Sequence, residues 1–209
     1  MTARILRLVS CLGFALLAGC AAKGEVITLN VQATAPNTGA AVKKSEMHVI
    51  VMPLEDSRGD QARLGTRFWG GKSYFDVPGG KPVDVAAEAI TNYLKARGWH
   101  AELAKSQVRG TASAEKPEIL LSGKVLALSV DAESKFLKTT ITAKSKIAVQ
   151  AQNTADGSVV RMTLNGAGSQ SVFWFDPEDA QQLLNDVLTE SLEKLVMDTK
   201  FENGLLRLK

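Results

Sequence analysis

Two histidines and two cysteines make up the chain's supply of imidazole and thiol groups. His48 lies in the apolar run Met47–Leu54 (MHVIVMPL), and His100 follows Trp99 at the exit of a helical segment. A zinc site would need both histidines together with carboxylates, and no ligand spacing in the sequence joins them. His48 therefore reads as a core or edge residue, His100 as an exposed one, and no metal is expected. Ser-His-Asp chemistry lacks a nucleophile-elbow motif. Gly70-Gly71 and Gly79-Gly80 lack the strand–glycine–helix order and the Gly-Lys-Ser/Thr ending that cradle phosphate. The expectation is no catalytic residue, no cofactor and no enzyme. Asp56, Arg58, Asp60 and Arg63 could cluster at the mouth of a strand, where the simplest reading is a solvated ion network of little energetic weight. Lys138, Lys144 and Lys146 form a basic row on one strand face. The sharpest candidates are Arg67, Phe68, Trp69, Tyr74, Phe75 and Trp174, because aromatic residues and arginine carry most of the energy of protein interfaces. Packing at the end of the core is the alternative for the same residues.

The 209-residue chain is 45% hydrophobic and 22% charged, which excludes a disordered or disulfide-scaffold protein. A formal charge of +3 gives no reason to expect nucleic acid as a partner. Arg4 and Arg7 precede a short apolar run, Val9 to Leu17, too short to span a bilayer. A charged start, an apolar stretch of this size and small residues before a cut make a secretory signal over 1–19. Its closing residues, Leu17-Ala18-Gly19-Cys20, resemble the bacterial lipobox. That resemblance implies cleavage before Cys20 and acylation of Cys20, with Ala21 rather than Asp after it favouring the outer membrane. Cys11 leaves with the signal, so no thiol remains for redox or disulfide chemistry.

Residues 20–45 read as the lipidated cysteine and a flexible tether. Glu25–Val31 is a candidate short strand within it, and Ala33–Ser45 is small, polar and broken by Pro36 and Gly39. The domain then spans 46–201, with 202–209 as a tail. Met47–Leu54 reads as a central strand, and Glu55–Lys81 as an aperiodic, glycine- and aromatic-rich segment. Pro82 opens a helix that Gly98 stops. Trp99–Leu103 is a short strand, and a polar loop runs on to Pro117. Ile119–Val130, Phe136–Gln152 and Val159–Gly168 alternate with period two and form an antiparallel meander. The small inner-face residues near its middle suggest a close helix. Asp176-Pro177 caps a final helix whose apolar stripe runs from Ala180 to Val196. The architecture expected is a single α+β domain in β-α-β-β-β-α order, a mostly antiparallel sheet with two helices on one face.

This order behind a lipobox resembles the YajG family of bacterial lipoproteins. The residues that carry the likeness are Leu94–Gly98, the run Leu121–Val130, Ile141–Gly157 with Ala143, Lys144, Ile147 and the Asp156-Gly157 turn, and Val196-Met197-Asp198. The segment Val49–Gly65, a strand ending in Pro followed by Asp-x-Arg, is similar instead to the N-terminal domain of TolB and its lipoprotein relatives in secretion, polysaccharide export and synthase activation. The resemblance implies a lipid-anchored, periplasm-facing outer-membrane protein that binds or assembles another envelope component without catalysis, and by the TolB-like analogy a homo-oligomer. A module for peptidoglycan or lipopolysaccharide, held by the basic row and the aromatics, is the second expectation.

Overall fold

The computed structural model describes residues 24–35, 47–104 and 118–209. The signal, Cys20, most of the expected tether and the polar loop up to Pro117 lie outside them.

The fold is α+β and is organised by one long strand. Val26–Thr28 is β1, His48–Val51 β2, Glu55–Asp56 β3, Gly65–Phe68 β4 and Lys72–Asp76 β5. Pro82–Ala96 is α1, His100–Leu103 β6, Ile119–Lys135 β7, Lys138–Asn153 β8 and Val159–Val172 β9. Pro177–Met197 is α2, and Thr199–Glu202 and Leu205–Leu208 are β10 and β11. Strand β7 pairs along its whole length with β8, and β8 with β9, all antiparallel, as the period-two pattern requires. The other edge of β7 is shared in series by β2, β3 and β4, each parallel to it. Outside these lie β6 on β2 and β5 then β1 on β4. The sheet is therefore mixed, and its parallel half comes from the stretch that showed no period.

One face of this sheet is the core. Val51, Leu121 and Ala151 are neighbours across three strands, as are Val130 with Ala143 and Ala132 with Ile141. All are buried against Leu184, Leu188 and Leu192 of α2 or Ile90, Tyr93 and Leu94 of α1. The close helix inferred from small residues is present. A Cβ at Gly166 would lie 2.2 Å from the Val187 carbonyl oxygen, and the Ser145 and Ser191 hydroxyls meet at 3.1 Å. Helix α2 begins as the sequence predicts: the Asp176 carboxylate accepts the Glu178 N–H at 2.9 Å, and Asp179 returns to the Asp176 N–H in a capping box.

Three boundaries differ from expectation. Residues 24–35 belong to the domain, not to a tether. Strand β1 pairs in parallel with β5, and Leu29 and Val31 are buried. Beyond β1 the chain runs along α2, where Gln181, Asn185 and Thr189 accept the N–H groups of Asn30, Gln32 and Thr34 at 2.7, 2.8 and 3.0 Å. Two extended residues advance about 6.6 Å and four helical ones about 6 Å, so alternate amides find successive turns of the helix. The tail is the second difference. Asn203 and Gly204, with φ of 53° and 74°, turn β10 into β11, and Leu206 is buried. Buried Asn153 holds that hairpin, donating to the Leu206 carbonyl at 3.1 Å and accepting its N–H at 2.8 Å. Third, β8 starts at Lys138, and Phe136-Leu137 is the β7–β8 turn, with Leu137 at φ 58°.

Candidate functional site: an aromatic sheet end and a histidine pair

The register brings three loops to one end of the sheet. Phe68 of β4 lies opposite Glu133 of β7, two residues before the strand closes at Lys135 against Lys138. Val172 lies opposite Thr139, so Phe173 and Trp174 leave β9 beside that same turn. Phe68, Trp69, Phe136, Leu137, Phe173 and Trp174 are all at least half exposed there, Phe136 at 91%. Side chains this exposed are not packed into the core. Arg67 points to the helix face beneath them. Its guanidinium carbon sits 4.0 Å from the Phe175 ring centroid and 5.4 Å from that of Trp69, a cation–π bracket tying the β4 turn to the start of α2. The rim is close to neutral: Lys72, Lys135 and Lys138 accompany Arg67, against Glu25, Glu133, Asp176 and Glu178.

The expected contact residues thus separate. Phe68, Trp69 and Trp174 are presented to solvent. Phe75 is fully buried and packs on Phe175 at 6.1 Å, so it is core and not contact. Tyr74 is half-buried between β1 and the cations of Arg63 and Lys72, at 5.4 and 5.3 Å from its ring. Phe136 and Leu137 escaped the sequence reading because their alternation continues that of β8.

Chain entry is at this end too. Gly24 abuts Lys72, where a Cβ would lie 2.4 Å from the carbonyl oxygen, and Lys72 is the partner of Phe68. Cys20 is four residues earlier, within about 14 Å of extended reach.

The Asp56–Arg63 cluster is not a solvated network. Arg58 is buried, and all five of its guanidinium N–H groups are used. It grips Asp56 in a two-pronged pair at 2.9 Å on each arm and donates to the carbonyls of Gln61, Arg63 and Leu128. These bonds hold the Asp56 carboxyl below its ordinary value. The Asp-x-Arg motif therefore staples the β3–β4 connection to β7. Arg63 in turn pairs with Asp76.

At the opposite end, parallel pairing of β2 with β6 sets His48 directly against His100. The rings stack with centroids 4.7 Å apart. The Glu102 carboxylate lies 3.7 Å from His48 Nε2 and 3.6 Å from His100 Nε2. The sequence offered no ligand spacing, because this grouping arises from non-local strand pairing.

On the open face of the sheet, Lys144 and Lys146 are exposed as expected. A shallow concavity of about 610 Å³ lies on β7–β9, lined by Glu55, Ser122, Lys124, Gln150, Arg161 and Met162 among others. Lys124 is paired with Glu55 at 2.8 Å, and Arg161 donates to Gln150 at 3.1 Å. Among the described residues no helix is long and apolar enough to cross a membrane.

The architecture defines the class: an α+β domain whose mixed sheet is covered on one face by two helices. No family model matches the sequence, and no curated protein matches it either. The fold is similar to that of a Xanthomonas campestris protein of the DUF330 family, 13% identical over 82% of this chain and 92% of that one, with a TM-score of 0.52. Weaker likenesses include lipoprotein GNA1162 of Neisseria meningitidis, 10% identical over 73% of this chain and 99% of that one at a TM-score of 0.38. Another is the PelC dodecamer of Paraburkholderia phytofirmans, 14% identical over 68% and 86% at 0.36. At these identities the likeness is one of fold, and the YajG resemblance rests on the residues quoted above.

Proposed function

We propose that the protein is an outer-membrane lipoprotein of the YajG kind, acylated at Cys20, facing the periplasm and working by contact rather than catalysis. Its contact surface is the aromatic end of the sheet, held against the membrane, where it binds or helps assemble another envelope component. The observation that carries this reading is the place of Gly24. The chain enters the domain beside Lys72, so an anchor four residues earlier pulls down the same end that exposes Phe68, Trp69, Phe136 and Trp174. Aromatic rings are the side chains that settle at a membrane–water boundary, and they also dominate protein interfaces.

Deleting the 65–80 segment would not test this, since it removes β4, β5 and buried Phe75. The informative variant is Phe68→Ser/Trp69→Ser/Trp174→Ser, which touches only exposed positions. Crosslinking in intact cells followed by mass spectrometry should give a folded, still anchored variant that has lost most of the wild-type crosslinks. An unchanged crosslink set would dispose of this surface. A second reading, an envelope glycan or lipid module, is favoured by the concavity beside Lys124 and Arg161 on the open sheet face.

A further inference from the structure

We propose that His48, His100 and Glu102 form a binding site for a divalent transition-metal ion at the β2–β6 edge. The site lies at the far end of the sheet from the aromatic loops. Strand β7, 17 residues long, separates the two by about 55 Å along its length, so the site does not depend on how the aromatic end is read.

The chain has only two histidines, and the fold places both on facing positions of one strand pair. Side chains alternate across a strand, so His48, His100 and Glu102 share the sheet face opposite Val49, Val51 and Ala101. One ligand atom from each of the three lies within 4.8 Å of the others. Ligands around a tetrahedral zinc stand about 3.3 Å apart. One Glu102 carboxylate oxygen lies 3.7 Å from His48 Nε2 and the other 3.6 Å from His100 Nε2, so binding an ion requires the two stacked rings to turn until both nitrogens aim at one point. The second observation is His48 itself. It is 3% exposed, and neither ring nitrogen has a hydrogen-bond partner. A buried polar atom without a partner is costly, and an ion bound at Nε2, the nitrogen that faces Glu102, removes that cost for this atom. The two imidazoles are borderline donors and the carboxylate a hard one, and the pair of imidazoles suits the set to Zn²⁺, Co²⁺, Ni²⁺ or Cu²⁺ rather than Mg²⁺ or Ca²⁺. His100 and Glu102 are half exposed, which leaves the ion open to water.

The test uses the mature acylated chain without a histidine tag, titrated in detergent with Zn²⁺ alone and Co²⁺ alone. One equivalent should bind, and Co²⁺ should bring visible d–d absorption. His100→Ala and Glu102→Gln, both on the exposed side, should leave circular dichroism unchanged and weaken binding by about tenfold or more. With no third histidine, no other imidazole can take over. A wild-type chain that binds neither ion overturns the site. Binding that His100→Ala leaves unchanged overturns it equally.

Discussion

Arg58→Ala is expected to destabilise the domain by about 3–5 kcal/mol, the cost of breaking a buried ion pair by removing one partner. The guanidinium is almost wholly buried and Asp56 is 13% exposed, so little water can replace what is lost. The variant strands the Asp56 carboxylate and leaves the Gln61, Arg63 and Leu128 carbonyls without this donor. Arg58→Lys keeps the charge but cannot reproduce a five-donor fork, so it should fall between the two. The effect carries a pH signature. The folded pKa of Asp56 is lowered chiefly by the Arg58 side-chain bond, so the pair's stabilisation is fully present above the ordinary aspartate value near 4. It fades as pH falls through the lower, folded value. Urea unfolding at pH 7 and pH 3 should show the gap between wild type and Arg58→Ala narrowing at the lower pH. A gap below about 1 kcal/mol at pH 7 would return the cluster to the solvated network suggested by composition.

Cys20→Ala should have the largest effect on where the protein resides. One acyl chain holds a protein to a bilayer only marginally, at about 10⁴ M⁻¹, while two or three hold it in practice permanently. Substitution removes the sulfur that would carry two of them, and with it the cut before residue 20 that would free the amino group for the third. Radiolabelled palmitate incorporation should vanish, and the chain should be absent from outer-membrane fractions while the domain keeps its fold, since among the described residues the buried ones begin at Leu29. A Cys20→Ala chain that is cut normally and still sediments with envelopes would remove the anchor from the account. The aromatic end would then lose its stated neighbour, whatever its exposure.

How much of this could be read in the sequence follows from how local each feature is. Strands β8 and β9 showed themselves through alternation, and α2 through Asp176-Pro177 and its stripe, because those signals sit within a few residues of what they specify. Strands β4 and β5 are four and five residues long, and their partners are remote. Nothing within Glu55–Lys81 says that Arg67 will face Ala132 or that Phe75 will be core. The Asn203-Gly204 turn was legible and passed over, since a two-residue Asn-Gly connection is a strong hairpin signal. The β7–β8 turn was not, because Leu137 adopts a left-handed conformation that glycine or asparagine normally advertises. The candidate sites follow the same rule. The exposed rings of Phe68, Trp69 and Trp174 could be nominated from residue type, but their union with Phe136 and Phe173 needs the register of four strands. The meeting of His48 with His100 needs a parallel pairing that no spacing encodes.

The most direct test of how the domain stands in the envelope is tryptophan quenching by lipids brominated at shallow acyl positions. The acylated chain is reconstituted in phosphatidylethanolamine–phosphatidylglycerol vesicles and confirmed by flotation. The three tryptophans divide cleanly for this purpose, with Trp69 and Trp174 exposed at the aromatic end and Trp99 packed on Phe201 in the core. Chains keeping only Trp69 or only Trp174, with phenylalanine at the other two positions, should show blue-shifted emission and strong quenching by brominated lipid, and chains keeping only Trp99 almost none. Chains that float with the vesicles yet show Trp69 and Trp174 no more quenched than Trp99 would mean that the aromatic end faces away from the bilayer.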